Sequence, residues 1–160
     1  MEDKSKLSAP VGYWLGCDFG TNNIGFAIGQ KFTKTASPIK VVKAKEGVPN
    51  NWKEIDDIIE RWRPKGIILG LPLNDDQSEN IMSKKARDFG KTLEQRTSLP
   101  ITFVNEHLSS KSIKDDIKNR LQNTQVTNQR STVSKSKRAK AKNRIDALSA
   151  CLILETWLNL

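Results

Sequence analysis

Three carboxylates stand apart from the other acids of this chain by position. Of its 18 Asp and Glu residues, most fall in polar loops or on polar helix faces, where water alone satisfies them. Asp18 closes the apolar run Tyr13-Trp14-Leu15-Gly16-Cys17 and precedes a Gly-Thr turn. Glu106 follows a second apolar run, Ile101-Thr102-Phe103-Val104, and Asp146 opens a third over residues 145–154. An acid at the mouth of a buried strand suits metal or phosphate chemistry; it also suits an Asp that hydrogen-bonds its own turn. Three carboxylates gathered in one place would repel one another unless a cation lay among them. Oxygen-only ligands match Mg²⁺ or Mn²⁺, and such a site could activate a water and stabilise the leaving oxygen of a phosphodiester. Asp18, Glu106 and Asp146 are therefore the candidate catalytic and metal-ligating residues. Glu155, near the end of the last helix, stays open between a functional and a bland role.

The basic residues point to a polyanionic partner. Between residues 117 and 145 there is no acid, and the window holds Lys118, Arg120, Arg130, Lys135, Lys137, Arg138, Lys140, Lys142 and Arg144. These nine equal the whole formal excess of +9, so the remainder of the chain is neutral. A stripe this concentrated, immediately before Asp146, suits a nucleic-acid backbone; the alternative is a solvated basic loop. Arg130, Lys135, Lys137, Arg138, Lys140, Lys142 and Arg144 are candidate substrate contacts. Thr21 and Asn22, in the turn after Asp18, and His107, the single histidine, join them: a hydroxyl or an imidazole there could meet a phosphate, or simply finish a turn or a strand. The tryptophans at 52, 62 and 157 fall at helical spacings and read as core.

The elements that must position these residues can be read from periodicity. Strands are expected at about 12–18, 24–31 and within 35–44, joined by short connections as an antiparallel meander. Asn50 is the expected cap of a helix over about 51–62, with Trp52, Ile55, Ile58, Ile59 and Trp62 on its apolar face. A short continuous apolar run at 66–70 reads as a strand covered on both faces. A helix over about 78–97, a strand at 101–104, a Ser109-capped helix over about 110–121 and a last helix starting within 137–144 and ending near Trp157 complete the order. Strands that alternate with helices imply crossovers and parallel pairing. The expectation is an α/β fold with a mixed five-stranded sheet: strands one to three antiparallel, later strands parallel to strand one, helices on the faces. Residues 1–11 read as a flexible lead-in, 12–160 as one domain, and 122–140 as a mobile basic loop. In such a sheet the C-terminal ends of strands one and five share an edge, where ligand sites form.

Four segments carry a family resemblance: Asp18-Phe19-Gly20-Thr21-Asn22-Asn23-Ile24-Gly25, Gly70-Leu71-Pro72-Leu73, Asn105-Glu106-His107-Leu108-Ser109 and Ile145-Asp146-Ala147-Leu148-Ser149-Ala150. In this order and spacing they resemble the YqgF/RuvX family. The resemblance implies a ribonuclease-H-like fold related to RuvC-type Holliday-junction resolvases. It implies a nuclease of pre-16S rRNA 5′-end maturation using Mg²⁺ or Mn²⁺, with Asp18, Glu106 and Asp146 as the acidic triad. Structured pre-rRNA, branched DNA and ribosomal precursor particles are the partners it brings, with a monomer or a homodimer both open. Two residues depart from the pattern: the family usually has Asp-Glu-Arg where this chain has Asn105-Glu106-His107.

Other classes fit less well. Asp-x-Gly-Thr also resembles the first phosphate loop of actin and sugar kinases, but those proteins need two such lobes. A non-catalytic nucleic-acid-binding assembly factor would need the basic stripe and not the three acids. One histidine and two separated cysteines cannot supply four zinc ligands. No apolar run reaches the roughly 20 residues of a membrane span, and the charged N-terminus lacks an apolar signal core, so the expected location is the cytoplasm.

Overall fold

Strand β1, Tyr13–Asp18, lies inside a six-stranded sheet of order β4-β3-β2-β1-β5-β6. In this computed structural model the described residues are 12–106, 115, 119 and 135–160, with side chains in the last segment from 147 onward. The other strands are β2 (Asn23–Gln30), β3 (Thr35–Lys45), β4 (Val48–Pro49), β5 (Ile67–Leu71) and β6 (Ile101–Asn105). The helices are α1 (Trp52–Trp62), α2 (Ile81–Thr97) and α3 (Lys135–Leu158). β1 to β4 pair antiparallel in sequence order, while β5 runs parallel to β1 and β6 parallel to β5. The meander and the later parallel strands are as the sequence implies. The C-terminal ends of β1, β5 and β6 consequently share one edge.

Each face of the sheet carries its own core. Leu15, Cys17, Ile24, Phe26, Val42, Ile67 and Leu69 point to the side covered by α1 and α2, where Ile55, Ile58, Ala86, Phe89 and Leu93 meet them. Ala27, Ala36, Ile68 and Val104 point to the other side and pack against Ala150, Cys151, Ile153, Leu154 and Leu158 of α3. Small residues on the α3 face let the helix approach closely. A Cβ at Gly16 would stand 2.7 Å from both the Ala150 carbonyl oxygen and the Leu154 Cβ. The tryptophans are packed as expected: Trp52 stacks on Phe89, Trp62 meets Tyr13 edge-on and Trp157 tilts against Trp14. Lys31 sets its ammonium over both Trp14 and Trp157, 5.0 and 4.9 Å from the ring centroids.

The sixth strand corrects the five-stranded expectation. After Lys45 the chain reverses through Glu46 and Gly47, both at positive φ (52° and 81°), as a two-residue type I′ hairpin requires. Val48 then pairs with Lys45 and Pro49 with Ala44. Two residues are too few for a periodicity, so β4 has no signature of its own. The cap of α1 also moves. The Asn50 N–H donates to the Lys43 carbonyl at 2.9 Å, and it is the Asn51 side chain that accepts from the Lys53 N–H. Helix α2 starts at Ile81 rather than 78 because Asn80 and Ser83 form a reciprocal capping box. Helix α3 starts at Lys135, ahead of the expected 137–144. Residues 1–11, the Ser109-capped helix except for Asp115 and Asn119, and 122–134 of the expected basic loop lie outside the described residues, while 135–140 are helical.

Glu155 resolves as an anchor for α3. It is buried on that helix and accepts a hydrogen bond from the Ala36 N–H of β3 at 2.8 Å. A charged acceptor taken from a buried donor costs about 1.5–3 kcal/mol. Glu155→Ala is therefore expected to lower the urea unfolding free energy by about that amount, and Glu155→Gln, which keeps an oxygen acceptor, by less. Both cysteines are buried. Burial, and then the charge of Asp18, push the Cys17 thiol well above its ordinary value. Ellman's reagent should titrate neither cysteine in the native protein and both after denaturation.

Candidate active site

Asp18 and Glu106 line one cleft at the C-terminal edge of the parallel strands. Its volume is about 190 Å³, and its other walls are Val104 and Asn105 from β6 and Ser149, Leu152, Ile153 and Thr156 from α3. The sequence places each acid by ending a strand on it or beside it. Asp18 is the last residue of β1, and Glu106 follows Asn105, the last of β6. Register brings the two strands level through β5, with Cys17 opposite Leu69 and Leu69 opposite Phe103. Alternation sends Cys17 into the α1–α2 core and Asp18 to the α3 face, into the cleft.

The β5 strand between them supplies space. A Cβ at Gly70 would come within 2.9 Å of Glu106 Oε1 and would collide with Ile153 Cδ1. Gly70 thus lets the Glu106 carboxylate and α3 converge over the centre of the sheet. Asp18, Asn105 and Glu106 are partly exposed, so the cleft is open to solvent and solute.

The remaining predicted residues divide by place. Thr21 and Asn22 form the turn after Asp18, and their carbonyls accept hydrogen bonds from the N–H groups of Gly47 (2.9 Å) and Ala44 (2.8 Å). That ties the turn to the β3–β4 hairpin; neither residue is among those lining the cleft. Asp146 is a residue of α3, one helical turn before Ser149, in the helical series 146, 149, 153, 156 that includes three cleft positions. Its side chain lies outside the described residues. Lys135, Lys137, Arg138, Lys140, Lys142 and Arg144 belong to the N-terminal half of α3, likewise by backbone only. His107 and Arg130 lie outside the described residues.

Sequence reasoning missed the polar atoms that α3 brings to the cleft. Ser149 and Thr156 sit in a segment apolar almost all round, so periodicity could not say which face meets the acids. Only their spacing of seven from each other, with Asp146 three before the first, marks them. The Thr156 hydroxyl donates to the Leu152 carbonyl at 2.7 Å, leaving its oxygen as an acceptor at the wall. The donor set is two carboxylates with amide and hydroxyl oxygens, a hard set that fits Mg²⁺ or Mn²⁺ rather than a softer metal. Among the described residues no group of three or more His, Cys, Asp and Glu is assembled; Asp146, the third acid expected from the sequence, has its side chain outside them.

The contact at Gly70 is testable. Gly70→Ala is expected to cost about 1–3 kcal/mol in chemical denaturation through overpacking. Ile153→Val, which removes the Cδ1 that the new methyl strikes, should restore part of that loss in a double-mutant cycle.

Comparisons with known proteins agree with this geometry. A family model described as "RuvX: Holliday junction resolvase" matches residues 12–160. A protein of Haemophilus ducreyi named "Putative pre-16S rRNA nuclease" is 39% identical over 145 residues, covering 91% of this chain and 94% of that one. A protein of the same name from Francisella tularensis subsp. holarctica is 41% identical over 145 residues, covering 91% and 95%. Among solved structures, T. thermophilus RuvC in complex with Holliday junction substrate superposes with TM-score 0.54 at 13% identity, over 92% of this chain and 95% of that one. The yeast mitochondrial Holliday junction resolvase Ydc2 gives 0.52 at 12%, over 93% and 80%. These two likenesses carry the fold alone, and it is the ribonuclease-H-like fold expected from the sequence. The relatives near 40% identity and the family match over residues 12–160 carry more: this chain belongs to the RuvX family.

Proposed function

We propose that this chain is a divalent-metal-dependent nuclease that hydrolyses a phosphodiester bond in the 5′ maturation of pre-16S rRNA. The observation that carries the reading is the meeting of Asp18 and Glu106 in one solvent-open cleft at the C-terminal edge of the parallel strands. Relatives named for pre-16S rRNA at about 40% identity support the RNA substrate. Asp18, Glu106 and Asp146 would hold Mg²⁺ or Mn²⁺. When bound, the metal supplies charge neutralisation at the scissile phosphate and an acidified water.

The chain's own residues do the rest. Asp18 and Glu106 approach from the ends of β1 and β6, on either side of β5, and would hold the cation that meets the reacting phosphate, while α3 walls one side of the cleft. A water adds to phosphorus opposite the leaving oxygen and gives up its proton to solvent; that P–O bond breaks and the leaving oxygen takes a proton from solvent, giving one end with a phosphate and one with a hydroxyl. The basic residues from Arg130 to Arg144, with Thr21, Asn22 and His107, hold the backbone on either side. Residues 12–160 act as one nuclease domain, with ribosomal precursor particles as the setting and the cytoplasm as the place. No helix among the described residues is long and apolar enough to cross a membrane. Branched DNA is the second reading, favoured by the fold shared with a resolvase solved on a Holliday junction.

Cleavage of a pre-rRNA 5′-leader and of a four-way DNA junction, each with Mn²⁺ and with EDTA, tests both readings. The leader should be cut, metal should be required, and Asp18→Asn and Glu106→Gln should each slow cutting on the order of a hundredfold or more, the size of several kcal/mol of lost charge stabilisation. Wild-type rates in Asp18→Asn would overturn the acid assignment. Preferred cutting of the junction would move the substrate to DNA, and metal-independent binding without cleavage would leave an assembly factor.

A further inference from the structure

The antiparallel register puts two lysines on the acid-bearing face of the sheet, on the side of Asp18 away from Glu106. Asp18 pairs with Gly25 of β2, Gly25 pairs with Val41 of β3, and the next non-adjacent pair outward is Asn23 with Lys43. Paired residues share a face, and Ile24 and Val42 between them point into the α1–α2 core. Lys43 therefore stands on the α3 face with Asp18, and Lys45, two residues on, follows it by alternation. Two inter-strand spacings and two residues along the strand set Lys43 about 12 Å from Asp18. At about 3.4 Å of axis per phosphate of one strand, that is roughly three phosphates away.

Both lysines are exposed, and among the described residues no carboxylate forms an ion pair with either. Lys40, by contrast, is on the other face and bound to Glu54 at 3.2 Å. The adjacent acid, Glu46, lines a groove with Phe19, Trp52 and Phe89 on the α1–α2 side. The backbone beneath the pair is held firmly. The Lys43 carbonyl accepts from the Asn50 N–H at 2.9 Å, and the Ala44 N–H donates to the Asn22 carbonyl at 2.8 Å. Two exposed ammonium groups with no carboxylate partner among the described residues, on a strand held at its backbone and in register with the acid-bearing edge, have the form of a phosphate track.

We infer that Lys43 and Lys45 bind the phosphates of the substrate strand on the β3 side of Asp18, away from Glu106. The strand then crosses the sheet edge from β3, over Asp18, to Glu106, and the two lysines set its register before the scissile bond. This rests on the nuclease reading, and binding measured without metal separates the two. A fluorescein-labelled RNA hairpin with a single-stranded 5′ extension is titrated by anisotropy in EDTA at several salt concentrations. Wild type is compared with Lys43→Gln, Lys45→Gln, the double variant and Lys91→Gln, a lysine exposed on α2.

The double variant should bind roughly 10- to 30-fold more weakly at 0.1 M salt, and the slope of log K against log salt should fall by about 1.4, the share of two phosphates on a single strand. Lys91→Gln should match wild type. In cleavage assays the double variant's loss should fall on KM rather than kcat. An affinity within twofold of wild type, an unchanged slope, or an equal loss in Lys91→Gln would overturn the track. If wild type binds with the full slope and cuts nothing in any metal, the nuclease reading fails while the track stands.

Discussion

The close seating of α3 on β1 is the constraint on which the rest of the site depends. An α-helix with ordinary side chains beneath it rides about 10 Å above a sheet, and the cleft would then be a shallow trough. Here the helix carbonyl of Ala150 and the Cβ of Leu154 come so near Gly16 that no other residue type fits. The same economy recurs at Gly70, where Ile153 and Glu106 crowd the position a methyl would take. Helix, central strands and acid are thus held at fixed separation by two absent side chains. Glu155 completes the seating by taking the Ala36 N–H of a strand at the far side of β2.

Much of this could be read without coordinates, for identifiable reasons. Asp18 and Glu106 fall where apolar runs stop, and a run that stops at an acid marks a strand end with little ambiguity. The chain's alternation of strand and helix after residue 50 leaves few sheet orders open, and the parallel β1-β5-β6 order is the one found. What escaped notice depended on contacts between distant segments. Asn51 rather than Asn50 caps α1 because β3 claims the Asn50 N–H. β4 exists because a two-residue turn folds back on Lys45, and Glu155 is buried because its partner lies 119 residues away. The α3 wall was invisible for the opposite reason: a helix apolar on every side shows no preferred face.

The electrostatic layout is divided as sharply as the cores. On the α1–α2 side several exposed acids are matched: Asp56 is held by Arg96, whose guanidinium keeps that carboxyl below the usual range, Glu79 by Arg87 and Glu54 by Lys40. On the α3 side Asp18 and Glu106 meet in the cleft, and Lys43 and Lys45 of β3 have no carboxylate partner among the described residues. Cations left without carboxylate partners beside an acid cleft give that face the character a polyanion meets.

The hydrogen bond from Ala36 to Glu155, 119 residues apart in sequence, also bears on how the molecule is made. Strands β1 to β3 can pair as soon as the first 45 residues emerge, since their contacts are local. The cleft cannot: its second acid arrives at residue 106 and its wall with residues 149–156. Contacts this distant in sequence form late and slowly. The strands of the meander are therefore complete in the growing chain well before the site is, and competence begins only when α3 seats on Gly16.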